Sequence, residues 1–283
     1  MSGMFPLNPL AGAPFGSALE LCLVLIVFCG VASIVLRENV WLDRSWSLCP
    51  PIYCLLVAVR DGFDSPRISL MTLLVLLWAA RLTFNFARRG GYRRGGGDYR
   101  WVVVEERFGT LRFRIANVLF VVPSQLLLVW LFTSPIHQAW LLPDAPLGWL
   151  DAVAVLVFLA FLAGQTVGDQ QMWTFQQDKR RKGEAGEEIE QPFIDTGLFR
   201  YSRHPSYFCE IGMWFAFYLF AVSASGDWLH WTGLGFVFLT GQMFGSIMLT
   251  ETISAGKYPT YAQYQASTPM LVPLPRRHRQ GSP

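Results

Sequence analysis

The chain has 283 residues, 52% of them hydrophobic and 15% charged, with a formal net charge of +3 and a mean hydropathy of +0.33. That balance excludes an ordinary soluble protein of two domains and points to a membrane protein crossing several times. The apolar runs are continuous rather than alternating, so helices are expected over a barrel. The fold class read from the sequence is therefore all-α, a polytopic membrane helix bundle.

Residues 1–16 lack a basic n-region, so they read as an extracytosolic segment ahead of a retained helix rather than as a signal peptide. About 20 apolar residues cross the hydrocarbon layer. Seven spans satisfy this: Ser17–Leu36, Val40–Val59, Ile68–Phe86, Ile115–Thr133, Leu147–Val167, Ser206–Ala224 and Trp228–Thr250. Asp43, Arg44, Pro50 and Pro51 interrupt the second. With the N-terminus outside and the C-terminus cytosolic, 20 of the 23 Lys and Arg residues fall in inner segments and two, Arg60 and Arg67, in outer ones. This agrees with the positive-inside rule. The net charge is then topological and implies no nucleic acid. Cys22, Cys29, Cys49, Cys54 and Cys209 all lie within spans and lack CxxC spacing, so they read as buried thiols, with neither zinc nor disulfides expected.

Outer connections are short or bland, whereas the inner segments are long: an Arg/Gly loop from Arg88 to Arg114, a linker from Gly168 to Pro205, and a tail from Glu251. Three helix ends carry polar stripes toward that side. Arg81, Asn85 and Arg89 share a face of the third span; Gln165 and Asp169 are four apart on the fifth; Tyr207, Glu210 and Trp214 share a face of the sixth. Ionisable residues inside a membrane usually face a bundle interior or a watery cavity. Taken singly, each has a plainer reading: Arg81 snorkelling to the interface, Asp43 and Arg44 pairing at the membrane edge, and the tryptophans forming a belt.

The richest stretch is "RYSRHPSYFCE", Arg200 to Glu210. Proline suits the first helical position, which makes His204 the expected cap. Arg200 and Arg203 then gather at a helix N-terminus, an arrangement that favours an anion such as phosphate. Glu210 lies deeper, placed to accept from an amide or hydroxyl. The competing reading is that Arg203 and Glu210 simply neutralise each other.

"GLFRYSRHPSYFCEIGMW" resembles the RHPNYxGE-type motif of membrane sterol reductases, steroid 5-alpha-reductases, and the isoprenylcysteine and phospholipid methyltransferases. Together with "LDRSWSLCPPIY", "LLWAARLTFNFARRGG", "GDYRW", "GDQQMWTFQQDKRR" and "TETISAGKYPTYAQYQASTPMLVPLP", it resembles the DUF1295 branch of the steroid 5-alpha-reductase superfamily from about Asp43 to Pro275. The resemblance implies a seven-helix transmembrane domain over residues 17–275, with a cofactor half of about 81–275 and a basic cytosolic tail at 276–283. It implies NADPH and a hydrophobic substrate entering from the bilayer. By motif, Gln165 and Asp169 match positions near the nicotinamide and ribose, Arg88 and Arg89 the corner that meets phosphates, and Tyr207 and Glu210 the nucleotide cleft. Arg200, Arg203 and His204 fall at its mouth; Glu251, Tyr258 and Tyr261 lie in the covering segment. Pro50 and Trp78 stand where 5-alpha-reductases hold the substrate ketone with glutamate and tyrosine, leaving Tyr53, Asp43 and Arg81 as catalytic candidates.

The function expected is NADPH-dependent reduction of a C=C bond in a lipid or steroid-like substrate. The alternatives are methyl transfer from S-adenosylmethionine, or lipid or nucleotide binding without catalysis. The membrane would be the endoplasmic reticulum in a eukaryote or the plasma membrane in a bacterium.

Overall fold

The computed structural model describes residues 14–36, 38, 40–93 and 96–276, without the side chain of Tyr99. Every regular element among them is helical. Among the described residues, six helices are long and apolar enough to cross a membrane: Pro14–Leu36, Pro66–Arg88, Thr110–Phe132, Trp149–Ala185, Pro205–Ser225 and Gly233–Lys257.

Helix α1 (Pro14–Leu36) is apolar throughout. The expected second span is divided into α2 (Trp41–Trp46) and α3 (Cys49–Arg60), joined at Ser47 and Leu48. Pro50 and Pro51 explain the break: proline is tolerated only in the first turn of a helix, so α3 has to begin there. At 12 residues α3 is about 18 Å long. Helix α4 (Pro66–Arg88) opens with Pro66 behind a Ser65 cap whose hydroxyl accepts from the Ile68 N–H. Asp98 caps α5 (Tyr99–Phe108) in the same way. Next come α6 (Thr110–Ala116), a π-helical turn at Asn117–Val121, and α7 (Val122–Phe132). The widened turn immediately precedes Pro123, which cannot donate to the preceding turn and clashes with its carbonyl. The short α8 (Pro135–Leu141) follows.

Helix α9 (Trp149–Ala185) runs 37 residues, so much of the expected linker after Gly168 is helix. The reason is visible in its sequence: Gln, Lys, Arg and Glu favour helix, and Asp178–Lys182 and Arg180–Glu184 pair four residues apart. A 3₁₀ turn at Gly197–Arg200 leads to α10 (Pro205–Ser225), which opens at the expected proline, with the His204 carbonyl accepting from the Phe208 N–H. Helix α11 (Gly233–Lys257) and the short α12 (Tyr261–Ser267) complete the order.

The chain divides into two compact units. One holds residues up to Val155 together with Ala216–Leu239; the other holds Leu156–Phe215 together with residues from Thr240 onward. In the first unit, Arg67 and Asp151 form a buried bidentate pair at 2.8 and 3.0 Å. Arg67 also donates to the Ala145 and Pro146 carbonyls, while Asp151 accepts from Gly148 N–H and the Ser223 hydroxyl. Thus Arg67, counted in an outer loop by sequence, is a fully engaged core residue. All five cysteines are buried and free.

Candidate functional site

In the second unit, glycines let α9 and α10 approach closely. A Cβ on Gly164 would lie 3.0 Å from Cys209 Sγ, and one on Gly212 would meet the Phe161 ring at 2.3 Å. This contact brings together Gln165, Glu210 and Trp214, all buried. Gln165 Nε2 donates to Glu210 Oε2 at 2.9 Å, and the Trp214 indole N–H donates to Glu210 Oε1 at 2.8 Å. The amide orientation follows from the partner: the carboxylate accepts, so the amide turns its N–H₂ toward it and its oxygen away. That oxygen, Gln165 Oε1, is buried without a hydrogen-bond partner. A lone buried acceptor costs about 1–3 kcal/mol, which a ligand N–H or O–H would recover. Asp169 lies one turn further along α9, partly exposed.

A second cluster gathers on Glu251 of α11. Its carboxylate accepts from Arg203 Nε and Nη2 at 3.0 and 2.9 Å, His204 Nε2 at 2.7 Å, the Tyr261 hydroxyl at 2.9 Å and Gln265 Nε2 at 2.6 Å. Arg203 also donates to the Gln265 and Thr268 carbonyls. The backbone follows the same course. Arg203 and His204 N–H groups donate to the Pro269 and Met270 carbonyls, and Leu274 N–H donates to Tyr201 O. Burial and the neighbouring Glu251 charge raise the affinity of the Tyr261 hydroxyl for its proton. Arg203 is thus neutralised, but by Glu251 and not by Glu210.

The remaining expected positions fall elsewhere. Arg200 is exposed on the 3₁₀ turn, and the Tyr207 ring lies 5.7 Å from that of His204. Tyr258 accepts from Lys179 Nζ at 3.2 Å, its ring flanked by Lys179 and Lys257. Arg88 and Arg89 belong to the first unit, where both donate to Asn85. So do Arg81, Asp43 and Tyr53. Tyr53 is wholly buried, its hydroxyl beside the Cys22 and Cys49 thiols with no partner of good geometry. Asp43 keeps one buried oxygen unpartnered. Gln265 was not singled out by sequence; its place four residues after Tyr261 on α12 is the signal that could have found it.

An all-helical chain with six potential membrane crossings, carrying buried polar clusters between helices, defines a multi-pass membrane protein. The chain belongs to the DUF1295 family, described as a protein of unknown function, whose model matches residues 30–268. It is similar to an uncharacterized protein of Schizosaccharomyces pombe, 32% identical over 266 residues that cover 89% of this chain and 77% of the relative. No solved structure matches the chain significantly.

Proposed function

We propose that this protein is an NADPH-dependent membrane oxidoreductase that reduces a C=C bond of a lipid or steroid-like substrate. Support comes from its family, from the resemblance of that family to steroid 5-alpha-reductases, and from one observation above the others: the unpartnered Gln165 oxygen held in place by Glu210 and Trp214. A carboxamide N–H or ribose hydroxyl fits that acceptor, so the residues present suit the nicotinamide end of a dinucleotide. Bound there, the cofactor would supply hydride.

Gln165, Asp169, Tyr207 and Glu210 would orient that end, and Arg200 would meet phosphate. Arg88 and Arg89 are phosphate-binding candidates on the resemblance alone. Arg203, His204, Glu251 and Tyr261 act as positioning residues that lock the first turn of α10 to the tail. Asp43, Tyr53 and Arg81 remain the catalytic candidates, with the Tyr53 hydroxyl returning a proton to substrate carbon. The topology proposed has seven crossings, with α2 and α3 together forming the second, the N-terminus outside and the C-terminus cytosolic, as the Lys and Arg distribution favours.

One observation favours a second reading, methyl transfer from S-adenosylmethionine. Glu251 neutralises Arg203 and engages His204, which thins the cationic frame a pyrophosphate requires, whereas the methyl donor carries no phosphate. Thermal shift of the detergent-solubilised protein separates the readings, because a ligand selective for the folded state raises its stability. Stabilisation by NADPH above NADH, weakened about tenfold or more by Asp169→Ala, supports the reductase. Response to S-adenosylmethionine alone supports the second reading. Silence to all three, in protein shown to be folded, leaves a non-catalytic binder.

A further inference from the structure

The reversal between α5 and α6 presents a surface that neither polar cluster uses. Gly109 joins the two helices at φ 83° and ψ 142°, a conformation nearly confined to glycine. The Trp101 ring lies 6.1 Å from that of Phe113. Twelve residues of straight helix would separate them by about 18 Å, so α5 folds back along α6.

The fold-back buries Phe113 and leaves the opposite side bare. Val102, Phe108, Leu111 and Ile115 are 58%, 61%, 72% and 52% exposed. Among them stand Arg107, Arg112 and Arg114, also exposed, with no hydrogen bond or ion pair to another described residue. Glu105 and Glu106 precede this stretch on α5, and from Arg107 to Asn117 there is no acidic residue. The apolar exposure resumes one helical turn on, at Leu119 and Phe120 of the membrane-crossing segment Thr110–Phe132. Whatever solvates that segment also reaches the hairpin. A bilayer edge with negative headgroups matches both halves of this surface: apolar residues meet the acyl boundary, and guanidinium groups form paired hydrogen bonds with phosphate oxygens.

We propose that the α5–α6 hairpin is a binding site for anionic phospholipid. Phe108 and Leu111 enter the acyl layer, and Arg107, Arg112 and Arg114 hold the headgroup phosphate. The proposal requires a membrane-embedded chain and is independent of NADPH.

The test uses the full chain in nanodiscs of phosphatidylcholine, with or without phosphatidylglycerol. Native mass spectrometry counts retained lipid, and thermal unfolding follows the effect. Phosphatidylglycerol is expected to be retained preferentially and to raise the midpoint, with both effects fading as salt rises. Arg107→Gln/Arg112→Gln/Arg114→Gln should reduce the preference about tenfold or more, and Phe108→Ser/Leu111→Ser should weaken retention of either lipid. A photoactivatable phosphatidylglycerol should label the Arg107–Ile115 peptide of the unaltered protein, a readout that does not depend on any variant folding. Equal preference in the arginine variant, or label absent from that peptide, overturns the proposal. Equal stabilisation by inorganic phosphate would make this a free-phosphate site, and loss of self-association in the variants would make it a contact between copies; either result also overturns it.

Discussion

Five hydrogen bonds converge on the Glu251 carboxylate, and Arg203 supplies two of them from a guanidinium that is almost wholly buried. Removing the negative partner leaves that cation without compensation, a change that costs about 3–5 kcal/mol in buried pairs. Glu251→Gln should therefore lower the unfolding midpoint and speed proteolysis in the tail after Tyr258. An unchanged midpoint and digestion pattern would show that Arg203 is solvated some other way. The Arg67–Asp151 pair in the first unit makes the same argument. Asp151→Asn should destabilise by a similar amount, while Ser223→Ala, which deletes one neutral donor to that carboxylate, should cost only about 1.5–3 kcal/mol. Equal costs for the two variants would contradict this ranking. Both clusters show the limit of reading charge from sequence. The RHP stretch announced a polar site, but Arg203 found its partner 48 residues away on α11, and no local spacing encodes that.

Among the elements, glycine decides where helices meet. A Cβ on Gly235 of α11 would fall 2.4 Å from the Leu131 carbonyl oxygen and the Phe132 Cα, both backbone atoms that have no rotamer to yield. Gly235→Ala is expected to cost about 1–3 kcal/mol by overpacking, read in chemical unfolding of the solubilised protein. Gly241→Ala on the same helix, where a Cβ meets nothing, should be neutral or slightly stabilising. Similar costs at both positions would rule out the close approach. The helices themselves were largely legible in the sequence: five of the seven expected spans coincide with a single long helix or with the α6–π–α7 segment. The second differs because two prolines restart the chain as α3. The last begins later than Trp228, since residues up to His230 form a loop in which Tyr218 Oη donates to the Trp228 carbonyl and accepts from the His230 N–H.

For the molecule as a whole, one buried group outside the membrane-crossing helices makes stability depend on pH. His137 packs 5.0 Å from the Phe15 ring. Burial first, then the charge of His230, lowers its proton affinity to about 4 from an ordinary 6.5. Between those values the unfolded chain binds more protons than the folded one, so stability falls as pH drops from about 6.5 toward 4. His137→Phe, which preserves the ring stack, should remove the acid-side loss. Midpoints measured from pH 4 to 7 that keep this slope in the variant would refute the assignment.

The amino-acid sequence alone determined the solvent of this protein and most of its helices. Runs of about 20 apolar residues have one stable state in lipid, the hydrogen-bonded helix. Its motifs also placed Gln165, Glu210, Arg203 and His204 in one region of the chain. Only the tertiary structure decided which charge each of them met. Helix packing brought Gln165 against Glu210 and Arg203 against Glu251 across tens of residues, and buried hydrogen bonds are settled by which partners arrive within 3 Å, a distance that periodicity along one helix does not specify.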